Sequence, residues 1–180
     1  PFPDPAPFRS GVGAGRGMGC FARKGGIGSA SRLIPSLNAT LGVLVLANYG
    51  TLNAFTPGGV PMGDRIAPLL SGLAPQKDAG SIIIIMATDA PLDARQLKRI
   101  ARRAGAGLGR TGSYWGHGSG DLAVAFSTQR QPVPPDDATL EPMLAAAAEA
   151  TVFAVLDAML SAVAVTGFRL HHRPALRQVL

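Results

Sequence analysis

GSIIIIMATDAPLDARQLKRIARRAG, residues 80–105, is the stretch on which the fold turns. Ser81 opens a run of four isoleucines that continues into Met86, with no polar residue alternating between them. A short apolar run without alternation reads as a strand apolar on both faces, at home in the middle of a sheet covered on both sides. The helix that follows has a clear start: Asp93 stands as N-cap, and Gln96 three residues on completes a capping-box spacing. Leu97, Ile100, Ala101, Ala104 and Leu108 recur at helical spacing, while Arg95, Lys98, Arg99, Arg102 and Arg103 take the other side. Gly105 and Gly107 are expected to mark its end.

Working outward, residues 30–34 and LGVLVLAN (41–48) are short, rich in Leu or β-branched side chains and bounded by turn formers, so both read as strands. Residues 50–80 form a loop-like stretch with Gly and Pro throughout, and DLAVAFST (121–128) is a further strand. After the Pro stop QPVPPDD comes a helix expected from about 138 to 165, dense in Ala, Leu, Met and Val. Strands in mixed order with two helices, one of them mostly apolar, predict a layered α+β sandwich. The 180 residues are expected to form one domain, entered through a Pro-rich extended leader over residues 1–10, with Pro at 1, 3, 5 and 7.

Composition removes several classes. With 47% apolar and 16% charged residues the chain is the opposite of a disordered one. The single Cys20 has no partner for a disulfide framework, and 23 Gly with 15 Pro show no collagen period. The leader lacks the basic start and apolar core of a signal peptide. MLAAAAEATVFAVLDAMLSAVAV (143–165) carries Glu149 and Asp157 well inside, which argues for a buried helix of a soluble fold and against a membrane span. The net charge is +6, and its dense part, Arg95 to Arg110, has no interleaved aromatics to stack on bases. That run reads as a solvated helix face, so neither nucleic acid nor membrane is expected as a partner.

The candidate chemistry lies in three places. GVGAGRGMG (11–19) has the glycines of a nucleotide loop, but in G-x-G-x-G spacing and with no strand before it, so a turning loop is the better reading. At Gly80–Ser81 a polar loop delivers a hydroxyl to the lip of an apolar strand. If the bond before Ser81 were cut, its α-amino group, with a pKa near 7.7–8.0 for such amines, would be a base beside its own nucleophile. A plain polar strand end has the same appearance. In GRTGSYWGHGSGD (109–121), Ser119 and Asp121 are two apart and point the same way if extended, so the acid can polarise a hydroxyl; a turn held by Ser and Asp side chains fits those residues as well. His117 reads as a turn residue, His171 and His172 as surface residues, and no metal-ligand set or cofactor motif accompanies them.

Taken together, GSIIIIMATDAPLDARQLKRIARRAGAGLGRTGSYWGHGSGD closely resembles the core of the P1-type serine aminopeptidases, the family of L-aminopeptidase D-amidase/D-esterase and β-peptidyl aminopeptidase. The likeness extends upstream through GVGAGRGMGCFARKGGIGSASR and LGVLVLANYG and downstream into the long helix. It implies an α/β/β/α sandwich like that of the N-terminal nucleophile hydrolases, with a different strand connection. It also implies a precursor that cleaves itself between Gly80 and Ser81, giving residues 1–80 and 81–180. Ser81 would then be the nucleophile, Ser119 and Asp121 would orient and activate it, and Asn48 would help hold the oxyanion. Peptides, amino-acid amides or esters with a free amino terminus are the implied substrates, and a homo-oligomer of processed heterodimers the implied assembly.

Members of the family are about twice as long and carry a large segment before the equivalent of residue 10, with strands of the sandwich and an active-site Tyr. The expectation is therefore a partial domain lacking the N-terminal half. Two alternatives stay open: a catalytically inactive truncated member of the same fold, and a basic binding module. The related ornithine acetyltransferases use Thr as nucleophile, and Ser81 argues against them.

Overall fold

The structure, a computed structural model, describes residues 10–70, 80–130, 133–167 and 172–180. Its frame is a four-stranded sheet in the order β3-β4-β5-β6, made of β3 (Gly26–Ile34), β4 (Ala39–Asn48), β5 (Ser81–Thr88) and β6 (Leu122–Ser127). β3, β4 and β5 run antiparallel, and β6 lies parallel to β5. A parallel neighbour requires a crossover. It is supplied by α2 (Ala94–Arg102) and α3 (Ala104–Arg110), which with α4 (Glu141–Leu160) cover one face of the sheet. A small hairpin, β1 (Gly19–Cys20) and β2 (Arg23–Lys24), precedes the sheet; α1 (Met62–Ile66) and a C-terminal pair, β7 (Val165–Thr166) and β8 (His172–Arg173), complete the set.

The core lies between the sheet and the helices. Leu41, Val43, Val45 and Ala47 of β4 and Ile82, Ile84 and Met86 of β5 turn inward, against Ile100, Leu108 and the Ala-rich side of α4. α4 closes on the sheet because β3 carries Gly28, where any Cβ would collide with the Ala154 carbonyl oxygen and the Ala158 backbone. The two charges inside this apolar helix tie it to β3: Asp157 Oδ2 accepts the Ser29 N–H at 2.9 Å, and Glu149 pairs with Arg32 at 2.8 Å. Together they give α4 the contacts of a core helix, although Asp137–Leu160 is long and apolar enough to cross a membrane.

Four expectations are corrected. The first strand begins at Gly26, not near residue 30, because its glycines are close-packing positions. The capping box at Asp93 and Gln96 is present, but the helical path kinks at Arg103 and resumes over Ala104–Arg110. Gly105 and Gly107 therefore lie inside α3; Gly107 is there because a Cβ would stand 2.6 Å from the Ala148 carbonyl oxygen and from Thr151 Cβ, where α3 meets α4. The last helix spans Glu141–Leu160, preceded by a 3₁₀ turn at Asp137–Leu140, and stops short of 165. Finally, among the described residues β5 is covered on one side only. Ile83 is 42% exposed and aligns with Leu122, 53% exposed, and Phe126 in the same strand is 48% exposed. Among the described residues the fold thus supplies one sheet and one helical layer. Of the Pro-rich leader, residues 1–9 lie outside the described set; Ser10 bridges Ile27.

Candidate active site

Ser81 is the first residue of β5, and the antiparallel register sets it directly opposite Asn48, the last residue of β4. Both belong to the row that faces away from the helices, at one end of the open face. Gly80 fits because a side chain there would collide with the Asn48 carbonyl oxygen, so the two chains draw together where the nucleophile candidate begins. The other half of the site arrives from the loop before β6. The Gly120 N–H donates to Ser81 Oγ at 2.9 Å, Ser119 Oγ donates to Asp121 Oδ1 at 2.6 Å, and the same oxygen accepts the Ile82 N–H at 3.0 Å. Parallel pairing of β6 with β5 is what brings residues 119–121 alongside residues 81–82.

Asp121 is only half satisfied: its Oδ2 is buried and has no hydrogen-bond partner. Charge-assisted bonds such as those to its Oδ1 are about twice as strong as neutral ones, so the carboxylate is a firm anchor for the start of β5. Beneath it, the buried Tyr49 hydroxyl lies 2.9 Å from Thr111 Oγ1. Burial above all, with the Asp121 carboxylate nearby, pushes the Tyr49 pKa well up, so this phenol stays protonated. A cavity of about 270 Å³ borders Asp121 on the helical side, between Trp115, Leu108 and the stems of Lys98 and Arg102.

Asn48 is held by the β1–β2 hairpin, whose Gly19 N–H donates to Asn48 Oδ1 at 2.9 Å. With that oxygen engaged, the amide NH₂ is the end left to donate. The hairpin turns through Phe21 and Ala22 at φ 47° and 61°. Non-glycine residues hold that conformation only where surroundings over-determine it. Here the Phe21 ring wedges between Tyr49 and Phe55, with centroids at 5.2 and 4.7 Å, and its N–H donates to the Tyr49 carbonyl.

The structure thus brings Ser81, Ser119, Asp121 and Asn48 to one end of the sheet. His117 is exposed, and no group of metal-ligating side chains occurs among the described residues. Two partners escaped the sequence reading: the backbone N–H groups of Gly19 and Gly120. Each sits in a Gly-rich turn whose composition was visible, but a backbone donor leaves no residue-type signature.

The model of peptidase family S58 matches residues 5–173. The chain belongs to peptidase family S58. Among its relatives, β-peptidyl aminopeptidase BapA of Sphingosinicella microcystinivorans is 38% identical over 185 residues, which span 87% of this chain and 46% of that protein. Its counterpart in Sphingosinicella xenopeptidilytica is 46% identical over 129 residues, 65% of this chain and 32% of that protein. The PH0078 protein of Pyrococcus horikoshii OT3 superposes with a TM-score of 0.83 at 42% identity, over 93% of this chain and 49% of that one. The L-aminopeptidase D-Ala-esterase/amidase of Ochrobactrum anthropi, described as a prototype of the serine aminopeptidases and a new variant of the Ntn hydrolase fold, gives 0.74 at 35% identity, over 93% and 50%. The S58 chain therefore has the α+β fold class of the Ntn-type aminopeptidases and spans about half the length of the relatives it matches.

Proposed function

We propose that this S58 chain carries the nucleophile of a self-processing serine aminopeptidase that removes amino-terminal residues from peptides, amino-acid amides or esters. The observation that carries the reading is Ser81 Oγ on the Gly120 N–H, next to the Ser119–Asp121–Ile82 chain of hydrogen bonds. In processing, Ser81 Oγ attacks the Gly80 carbonyl carbon, the C–N bond breaks as the hydroxyl proton passes to nitrogen, and water hydrolyses the resulting ester. Gly80 leaves with a carboxylate, and Ser81 gains a free α-amino group. The unpartnered Asp121 Oδ2 supports this: processing creates a donor one residue before the Ile82 N–H that Oδ1 already accepts.

In turnover the α-amino group takes the proton from Ser81 Oγ as it attacks the substrate carbonyl, and returns it to the leaving amine or alcohol. The acyl group on Ser81 is then released to water. Asn48, with its NH₂ directed by the Gly19 contact, donates to the oxyanion; one such donor is worth roughly 2.7–4 kcal/mol in the transition state. The proposed assembly is a homo-oligomer of processed heterodimers.

Denaturing mass spectrometry tests the first step. Cleavage before Ser81 gives fragments of 80 and 100 residues from the 180, and the Ser81→Ala chain stays whole. An intact wild-type chain after prolonged incubation refutes the reading. A second reading, a chain that holds the fold but does not turn over substrate alone, is favoured by the open apolar face carrying Ile83, Leu122 and Phe126. Hydrolysis of an amino-acid p-nitroanilide by the processed protein separates the two.

A further inference from the structure

Arg23 of the β1–β2 hairpin plays no part in the site, yet it is 1% exposed and none of its three guanidinium nitrogens has a hydrogen-bond partner. Its neighbours are equally positive. Lys24, also buried, donates its ammonium to the Gly15 carbonyl oxygen at 2.7 Å and to that of Gly25. The Arg173 guanidinium lies against Gly19, close enough that a Cβ on that residue would stand 2.8 Å from its Cζ, and its charge helps lower the Lys24 pKa. The ion pairs found among the described residues lie elsewhere, Arg32 with Glu149 and Arg95 and Arg99 with Asp137.

A guanidinium stays charged in proteins, and an unpaired buried charge costs several kcal/mol. A fold that buries one is stabilised by any counter-ion that reaches it. Lys24 already spends its ammonium on two carbonyls, so the buried donors left unfilled are those of one planar fork. That matches a monoanion with two oxygens in a plane. We propose that the β1–β2 hairpin is a carboxylate-binding site in which Arg23 grips both oxygens. Because this hairpin also holds Asn48 through Gly19, its occupant steadies one wall of the candidate active site. The carboxylate comes either from a solute, a peptide terminus included, or from an acidic side chain of a second copy of the chain.

The test is thermal unfolding of the full chain in acetate against chloride at equal ionic strength and pH 7.5, for wild type, Arg23→Met and Arg23→Lys, at low and high protein concentration. A solute site raises the wild-type Tm by about 3–6 °C at ten times the acetate Kd. Arg23→Lys then responds less and Arg23→Met not at all. A side chain from a second copy instead makes the wild-type Tm rise with protein concentration, with a dimer in sedimentation that acetate competes apart and Arg23→Met abolishes. A wild-type Tm indifferent to both acetate and concentration overturns the proposal, as does an equal acetate response in Arg23→Met. If Arg23→Met fails to fold, Arg23→Lys decides: an acetate and concentration response equal to that of wild type overturns the proposal, because the two-oxygen grip needs the guanidinium fork.

Discussion

Replacing Asp121 tests whether one carboxylate both anchors the start of β5 and serves Ser81. The stability arm is measured in a Ser81→Ala background, so that every species compared is the same uncut chain. Asp121→Ala removes the acceptor of two hydrogen bonds, from Ser119 Oγ at 2.6 Å and from the Ile82 N–H at 3.0 Å. The Ser119 hydroxyl is only half-buried and regains water, so its share of the loss is small. The Ile82 N–H, at the head of a core strand, is left without a partner. Losing a charge-assisted bond and stranding that donor costs about 2–4 kcal/mol, or a fall in Tm of about 4–16 °C for a chain of this size. Asp121→Asn keeps an oxygen for the Ile82 N–H and costs about 1 kcal/mol.

The two substitutions then separate anchoring from chemistry. In chains that retain Ser81, Asp121→Asn keeps the strand in place yet slows the appearance of the fragments by about 10²–10³, the range for a lost electrostatic stabiliser. Urea unfolding reads the first effect, and a mass-spectrometric time course the second. If Asp121→Ala lies within about 0.5 kcal/mol of its parent, as ordinary surface substitutions do, the carboxylate does not anchor β5. If Asp121→Asn processes as fast as wild type, it does not serve Ser81.

Three further outcomes follow from other parts of the molecule. Gly28→Ala drives a methyl into the Ala154 carbonyl oxygen and the Ala158 backbone, so β3 and α4 must part; a loss of about 1–3 kcal/mol is expected in urea unfolding, and an unchanged midpoint refutes the close contact. Asn48→Ala should leave a folded, processed protein whose kcat toward an amino-acid p-nitroanilide falls by about 10²–10³; an unchanged kcat removes Asn48 from the oxyanion site. The exposed Asp137 carboxyl, held well below the usual carboxylate range by its hydrogen bonds from Arg95 and Gln96, stabilises the fold above the unfolded carboxylate pKa of about 3.9. Asp137→Asn should therefore lower the Tm slightly at pH 7 in low salt, with the difference narrowing as the pH falls below about 4 and as salt is added; a difference as large at pH 2 as at pH 7 refutes that linkage.

What the sequence determined alone is local. The Asp93–Gln96 box, the apolar run after Ser81 and the Ala-rich composition of α4 act within a few residues of themselves, and each specifies the element found there, although the helix after Asp93 breaks at Arg103 and α4 stops at Leu160. The candidate site residues come from the family resemblance, for Gly80–Ser81 and Ser119–Asp121 taken alone read as well as a strand end and a turn. Glycine was where local reading misled, since Gly28, Gly105 and Gly107 look like chain punctuation and instead sit inside elements. A missing Cβ signals an end and a close crossing alike, and only the neighbouring helix distinguishes them. The tertiary structure decided the pairing of Asn48 with Ser81, the supply of Gly19 and Gly120 N–H groups, and the open second face of β5. Each depends on register between segments distant in sequence, and backbone N–H groups are chemically identical in every residue but proline, so no pattern of side chains could announce them.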